Sequence, residues 1–106
     1  MNRVVGIETE YGCLVSAQQS SGTSETWPVR VKNHLFRQMR AGALDLHYRD
    51  YEEPPGNGGF LRNGGRLYLD MGHLEYSSPE SRTVRDAVTM DIAGDLLLQK
   101  IGRAHV

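Results

Sequence analysis

A chain of 106 residues, 39% of them apolar and 12 of them glycine, carries enough apolar material for one small packed core and too much for a disordered tail. Twelve Lys and Arg against thirteen Asp and Glu leave a net charge of -1, which excludes whole-molecule attraction to nucleic acid or to an anionic membrane and leaves function to local arrangement. The lone Cys13 excludes an internal disulfide, and the absence of a leader pattern or a bilayer-length apolar run makes a reducing cytoplasm the expected location.

Residues 3–11, RVVGIETEY, predict a strand, because Val4, Val5 and Ile7 are β-branched and Gly12 ends the run. Residues 16–25, SAQQSSGTSE, are small and polar without a period, which predicts a loop. A helix is expected to start near Trp27 or Pro28, since proline is tolerated in a first turn, with Val31, Leu35 and Met39 on its apolar side. Arg30, Lys32, Arg37 and Arg40 fill the remainder. Without interleaved aromatic residues they describe a solvated face rather than a nucleic-acid surface, and His34 is read as surface or packing.

Residues 47–60, with two prolines and three glycines, predict a loop. Asn63-Gly64 then predicts a hairpin pairing Phe60–Arg62 with Arg66–Met71, followed by a second turn in EYSSPES, residues 75–81. A helix is predicted over 84–99, with Thr83 as cap, Asp86 completing a capping-box pattern, and Val84, Val88, Ile92 and Leu96 as the apolar stripe. Gly94 weakens it by about 1 kcal/mol relative to alanine. The last six residues, IGRAHV, resemble a translated sequencing-library adapter and are set aside as a non-native tail, leaving residues 1–100 as one truncated domain.

Alternate positions in an extended chain fall on opposite faces. Glu8 and Glu10 therefore share one face of the first strand, and Arg66, Tyr68 and Asp70 share one face of the hairpin, with Glu75 expected just past its end. If both belong to one sheet, with Val5, Ile7, Leu67 and Leu69 packed under a helix, the polar groups line a surface that cannot be a dry core. Glu8 and Glu75 are candidate ligands for a hard cation such as Mg²⁺, which prefers oxygen and keeps positions for water or phosphate. Arg66 offers a planar fork to phosphate oxygens, so cation and arginine together suggest a nucleoside triphosphate. Asp70 is placed to take a proton. Spacing alone also describes an outer sheet face laced with Glu–Arg ion pairs, and by itself favours that plainer account. No Walker-type loop, GxGxxG or paired CxxC occurs.

GIETEYG, residues 6–12, and FLRNGGRLYLDMGHLEYSSPE, residues 60–80, resemble the signature segments of the Pup ligase and Pup deamidase (PafA/Dop-like) family, relatives of glutamine synthetase and other carboxylate-amine ligases. The resemblance implies an α+β fold, with an antiparallel, partly mixed, curved sheet packed by helices, forming the N-terminal part of a glutamine-synthetase-like catalytic domain. It implies dependence on ATP and Mg²⁺. It also implies a ubiquitin-like modifier (Pup or similar) and lysine-bearing substrates as partners, with the proteasome involved indirectly and neither nucleic acid nor membrane. Residue by residue, Glu8, Tyr68 and Glu75 resemble the metal-contacting positions, Arg66 and Ser78 the ATP-contacting ones, and Asp70 the catalytic aspartate, with Glu10 in support. GIETEYG and FLRNGGRLYLD look more like the ligase branch; the compact DMGHLEYSSPE, with Leu74 where a proline is usual, and RDAV look more like the deamidase. A Pup ligase is therefore expected, with a deamidase or depupylase, a more distant carboxylate-amine ligase, and a non-enzymatic α+β domain as alternatives.

Overall fold

The computed structural model describes residues 3–12, 26–48 and 53–105, so the polar stretch 16–25 lies outside the described residues. Five strands, β1 Glu8–Tyr11, β2 Gly42–Leu44, β3 Gly58–Leu61, β4 Arg66–Asp70 and β5 His73–Ser77, form one sheet in the order β1-β5-β4-β3-β2. Every pairing is antiparallel, so the α+β class stands as expected and no parallel pair occurs among the described residues.

Two hairpins set the register. In the first, Leu61 N–H donates to Gly65 O at 2.7 Å and Gly64 N–H to Leu61 O at 3.0 Å. Gly64 takes the positive φ of 90° and Asn63 does not. β3 begins two residues earlier than expected, which sets Gly58 opposite Tyr68 and Phe60 opposite Arg66. The second hairpin overturns the turn expected over 75–81: Met71 and Gly72, at φ 53° and 81°, reverse the chain in two residues, and Glu75, Tyr76 and Ser77 continue as strand. Left-handed backbone is costly for methionine. The ladder that runs from Arg66↔Ser77 to Asp70↔His73 offsets that cost.

Residues 3–7 do not join the sheet as a strand. Val5 makes one antiparallel bridge with Ser81, and Val5 and Ile7 stay outside the core instead of packing under a helix. β2 lay in no predicted element. It is three residues with no β-branched side chain, held by pairing with β3 rather than by its own propensity.

α1, Thr26–Asn33, runs into a π-helical turn, His34–Gln38, where Met39 N–H donates to His34 O at 3.0 Å, five residues back. Val31, Leu35 and Phe36 are buried against Leu61, Leu67, Leu74 and Tyr76, with Met39 at the margin, as the spacing predicts. Trp27 is buried, and the Arg30 guanidinium lies 5.0 Å from its ring centroid. Lys32, also buried, donates from Nζ to Gly56 O at 2.7 Å and ties α1 to the segment before β3.

α2, Val84–His105, is capped as expected, with Asp86 N–H donating to Thr83 Oγ1 at 3.1 Å, and its backbone continues past Gln99 through His105. Its orientation is a correction. Val84, Val88, Ile92 and Leu96 remain 70%, 43%, 51% and 60% exposed, while Ala87 and Gly94 are buried against the sheet. The sheet presents hydroxyls to α2: Thr9 Oγ1 donates to Asp91 at 2.6 Å, Tyr11 to Asp95, and Tyr76 to the Met90 carbonyl at 2.9 Å. Hydrogen bonding and the close approach at Gly94 decide which side docks. A strict spacing of four also drifts roughly 40° per step around a 3.6-residue helix, so it makes a poor seam. Both helices cover the sheet face bearing Leu67, Leu74 and Tyr76; the opposite face carries the polar groups.

Candidate functional site

The register places Glu8, Ser77, Arg66 and Phe60 in one cross-strand row, Glu10, Glu75, Tyr68 and Gly58 in the next, and His73 with Asp70 in a third. Side chains directly opposite in a ladder share a face. Glu75 sits within β5, one strand from Tyr68, and not beyond a strand end as the sequence suggested.

The contacts run in a chain across this face. Tyr68 O–H donates to Glu75 Oε2. Ser77 Oγ donates to Glu8 Oε1 at 3.4 Å and lies 3.3 Å from the Tyr68 oxygen, so Ser77 and Tyr68 together link Glu8 to Glu75. The Arg66 guanidinium stacks 4.2 Å from the Tyr68 ring centroid and donates from Nη2 to Glu53 Oε2 at 2.6 Å. His73 Nδ1 and Glu10 Oε1, both about half exposed, lie 3.1 Å apart. Asp70 is exposed at the end of β4.

Burial pushes the Tyr68 phenol up to about 12, and its hydrogen bond to Glu75 adds to the rise. Tyr68 is therefore a neutral donor at physiological pH, and its hydrogen bond fixes the position of the Glu75 side chain. Burial likewise pushes up Tyr11, with the Asp95 bond next, and Tyr76. These shifts predict alkaline sensitivity. An unfolded tyrosine ionises near pH 10, so between about 10 and 12 the unfolded chain loses protons that the folded chain retains, and stability falls as pH rises. Urea midpoints should be flat from pH 8 to about 9.5 and then decline, with a smaller decline in Tyr68→Phe; a midpoint that holds to pH 11 would contradict this account.

Of the sequence-predicted site residues, the fold brings Glu8, Tyr68, Glu75 and Arg66 together and sets Asp70 further along the same face. Ser78 is engaged elsewhere, its Oγ accepting from Ile7 N–H at 2.8 Å while its own N–H donates to Ile7 O at 2.8 Å, which holds the chain just before Glu8. Sequence reasoning missed Ser77, His73 and Glu53. The first two follow from reading Met71-Gly72 as a tight turn, since positions 73, 75 and 77 then share a face; no local signal marks Glu53 as a partner for Arg66.

The donor set suits a hard cation. Among the described residues no group of three His, Cys, Asp or Glu converges as a complete metal cage. One or two carboxylates and neighbouring hydroxyls, open to solvent on one side, match Mg²⁺, which keeps waters and takes phosphate oxygens in its remaining positions. No helix among the described residues is long and apolar enough to cross a membrane.

A family model described as Pup-ligase protein matches residues 3–105. Two curated relatives, each named Pup–protein ligase, from Xylanimonas cellulosilytica and from a Nocardioides species, are 39% and 37% identical over 98 residues, which is 92% of this chain and 18% of each relative. The crystal structure of the complex between the prokaryotic ubiquitin-like protein Pup and its ligase PafA is similar with a TM-score of 0.65, at 24% identity, over 94% of this chain and 17% of that one. That likeness bears on the α+β fold. The chain spans less than a fifth of the length of the relatives it matches.

Proposed function

The chain belongs to the Pup-ligase family, and from that premise we propose that it supplies the acidic sheet of an ATP- and Mg²⁺-dependent ligase. Such an enzyme joins the C-terminal glutamate of a ubiquitin-like modifier, Pup or a relative, to lysines of substrate proteins through a glutamyl phosphate, marking them for the proteasome. The observation that carries this reading is the placement of Glu8 and Glu75 on adjacent strands of one face, bridged by Ser77 and Tyr68, with Arg66 stacked beside them.

Glu8, Glu75 and Tyr68 would hold Mg²⁺ and Arg66 would meet the nucleotide phosphates, while Ser78, the other residue that the resemblance assigns to the nucleotide, would serve it by holding the chain before Glu8 through its bonds to Ile7. Bound Mg²⁺ would neutralise triphosphate charge and ease phosphoryl transfer to the modifier's carboxylate. Arg66 adds a fixed, stacked cation for phosphate oxygens. Asp70, exposed on the same face, would take the proton that the lysine amine sheds as its nitrogen bonds to the acyl carbon and phosphate leaves. Cytoplasmic location is part of this reading.

A deamidase or depupylase is the second reading, motivated by the two-residue turn at Met71-Gly72 that gives the DMGHLEYSSPE segment its compact spacing. Calorimetry on the full-length protein should show Mg²⁺-dependent ATP binding, weakened at least tenfold in Glu8→Ala, or about 1.4 kcal/mol. Failure of the unmodified protein to bind would return the face to a salt-bridged surface without catalysis. Product analysis then separates the readings: conjugation of a modifier ending in glutamate supports the ligase, and release of ammonia from one ending in glutamine supports the deamidase.

A further inference from the structure

Arg66 already has an anion. Its Nη2 donates to Glu53 Oε2 at 2.6 Å, with the two side chains 24% and 28% exposed, so the pair is shielded enough for its attraction to exceed that of an open surface pair. The guanidinium carbon lies 4.2 Å over the Tyr68 ring centroid, and its Nε is buried without a hydrogen-bond acceptor. Glu53 does not ride on a free loop end. Asn57 N–H donates to Pro54 O at 3.0 Å, Asn57 Nδ2 to Leu69 O at 2.8 Å, and Lys32 Nζ to Gly56 O at 2.7 Å, which anchors the segment carrying Glu53 to β4 and α1.

A carboxylate and a phosphate approach a guanidinium edge in the same way, through paired oxygens on parallel N–H donors. We propose that Glu53 is a built-in competitor for the polyphosphate that Arg66 serves: it holds the arginine's edge in the free protein and must withdraw, or sit beside a second anion, when the ligand arrives. The proposal rests on the assignment of Arg66 to nucleotide phosphates. Glu53 thereby sets the affinity of the site below what Arg66 alone would give, and weakens it most for the most highly charged ligands, because like charges repel.

The test is titration of the full-length protein with Mg²⁺–ATP and, separately, with inorganic triphosphate. Glu53→Gln keeps the shape and removes the charge, and is expected to bind Mg²⁺–ATP about tenfold more tightly, a change of about 1.4 kcal/mol, and inorganic triphosphate, the more highly charged probe, by a larger factor. Glu53→Ala should shift in the same direction, and Arg66→Met should erase the gain, leaving the double variant no tighter than Arg66→Met alone. Equal or weaker binding by both Glu53 variants, with the unmodified protein still binding, overturns the competitor role, makes Glu53 a positioning residue and leaves the nucleotide reading intact. If neither the unmodified protein nor the variants bind either probe, the nucleotide reading falls and the competitor role falls with it.

Discussion

Asp70→Asn is expected to lower turnover by about 10³, inside the 10²–10⁴ range that a positioned general base supplies, while Mg²⁺–ATP affinity stays within about threefold of the unmodified protein. The two effects separate because of where Asp70 sits. It lies at the end of β4, opposite His73 and exposed, two residues along the face from Tyr68. Asparagine preserves its volume and cannot accept the amine proton. His73 is paired with Glu10 at 3.1 Å rather than held as a replacement base. Single-turnover conjugation beside a binding titration reads both quantities. Turnover within tenfold of the unmodified protein would remove Asp70 from the proton-transfer role.

Gly94→Ala is expected to destabilise the fold by about 2 kcal/mol, although the same change in an exposed helix would stabilise it by about 1 kcal/mol. A Cβ at position 94 would fall 2.6 Å from Cδ1 and Cε1 of Tyr76. That ring cannot retreat. It is fully buried, with the Gly65 backbone close to its other edge, and its hydroxyl is held by the Met90 carbonyl at 2.9 Å and by Asn63 Nδ2 at 3.1 Å. The expected loss is the balance of about 3 kcal/mol of overpacking against the propensity gain. A urea titration at neutral pH measures it, and a midpoint above that of the unmodified protein would show that steric cost does not govern the site. Tyr76→Leu should lose part of the Gly94→Ala penalty in a double-mutant cycle, since the two residues touch.

What could be read from residues alone divides by the physics involved. Local chemistry was legible: Thr83 caps α2, Val31 and Leu35 reach the core, Gly64 turns the first hairpin, and the alternation in RLYLD separates Leu67 from Arg66 and Tyr68. Tertiary decisions were not. Met71 adopts a backbone that its own sequence disfavours because strand pairing on both sides closes only that way, so β5, and with it Ser77, escaped prediction. α2 docks through Asp91, Asp95 and Gly94 because three hydroxyls and an aromatic ring wait on the sheet, which no periodicity within the helix records. Alternation put Glu8 on the first strand and Arg66, Tyr68 and Asp70 on one face of the hairpin, where the fold also has them, but left Glu75 outside any strand. The site's wiring through Ser77 and Glu53 depends on cross-strand register and on a segment 13 residues from Arg66.

The chain contains one tryptophan, Trp27, buried in the first turn of α1 with a guanidinium beside its ring. Its fluorescence is therefore an intrinsic optical gauge of whether that helix stays docked, spectrally separate from the tyrosines at the acidic surface. Emission that red-shifts with denaturant and holds steady as nucleotide is added would let one signal distinguish melting from occupancy without an attached dye.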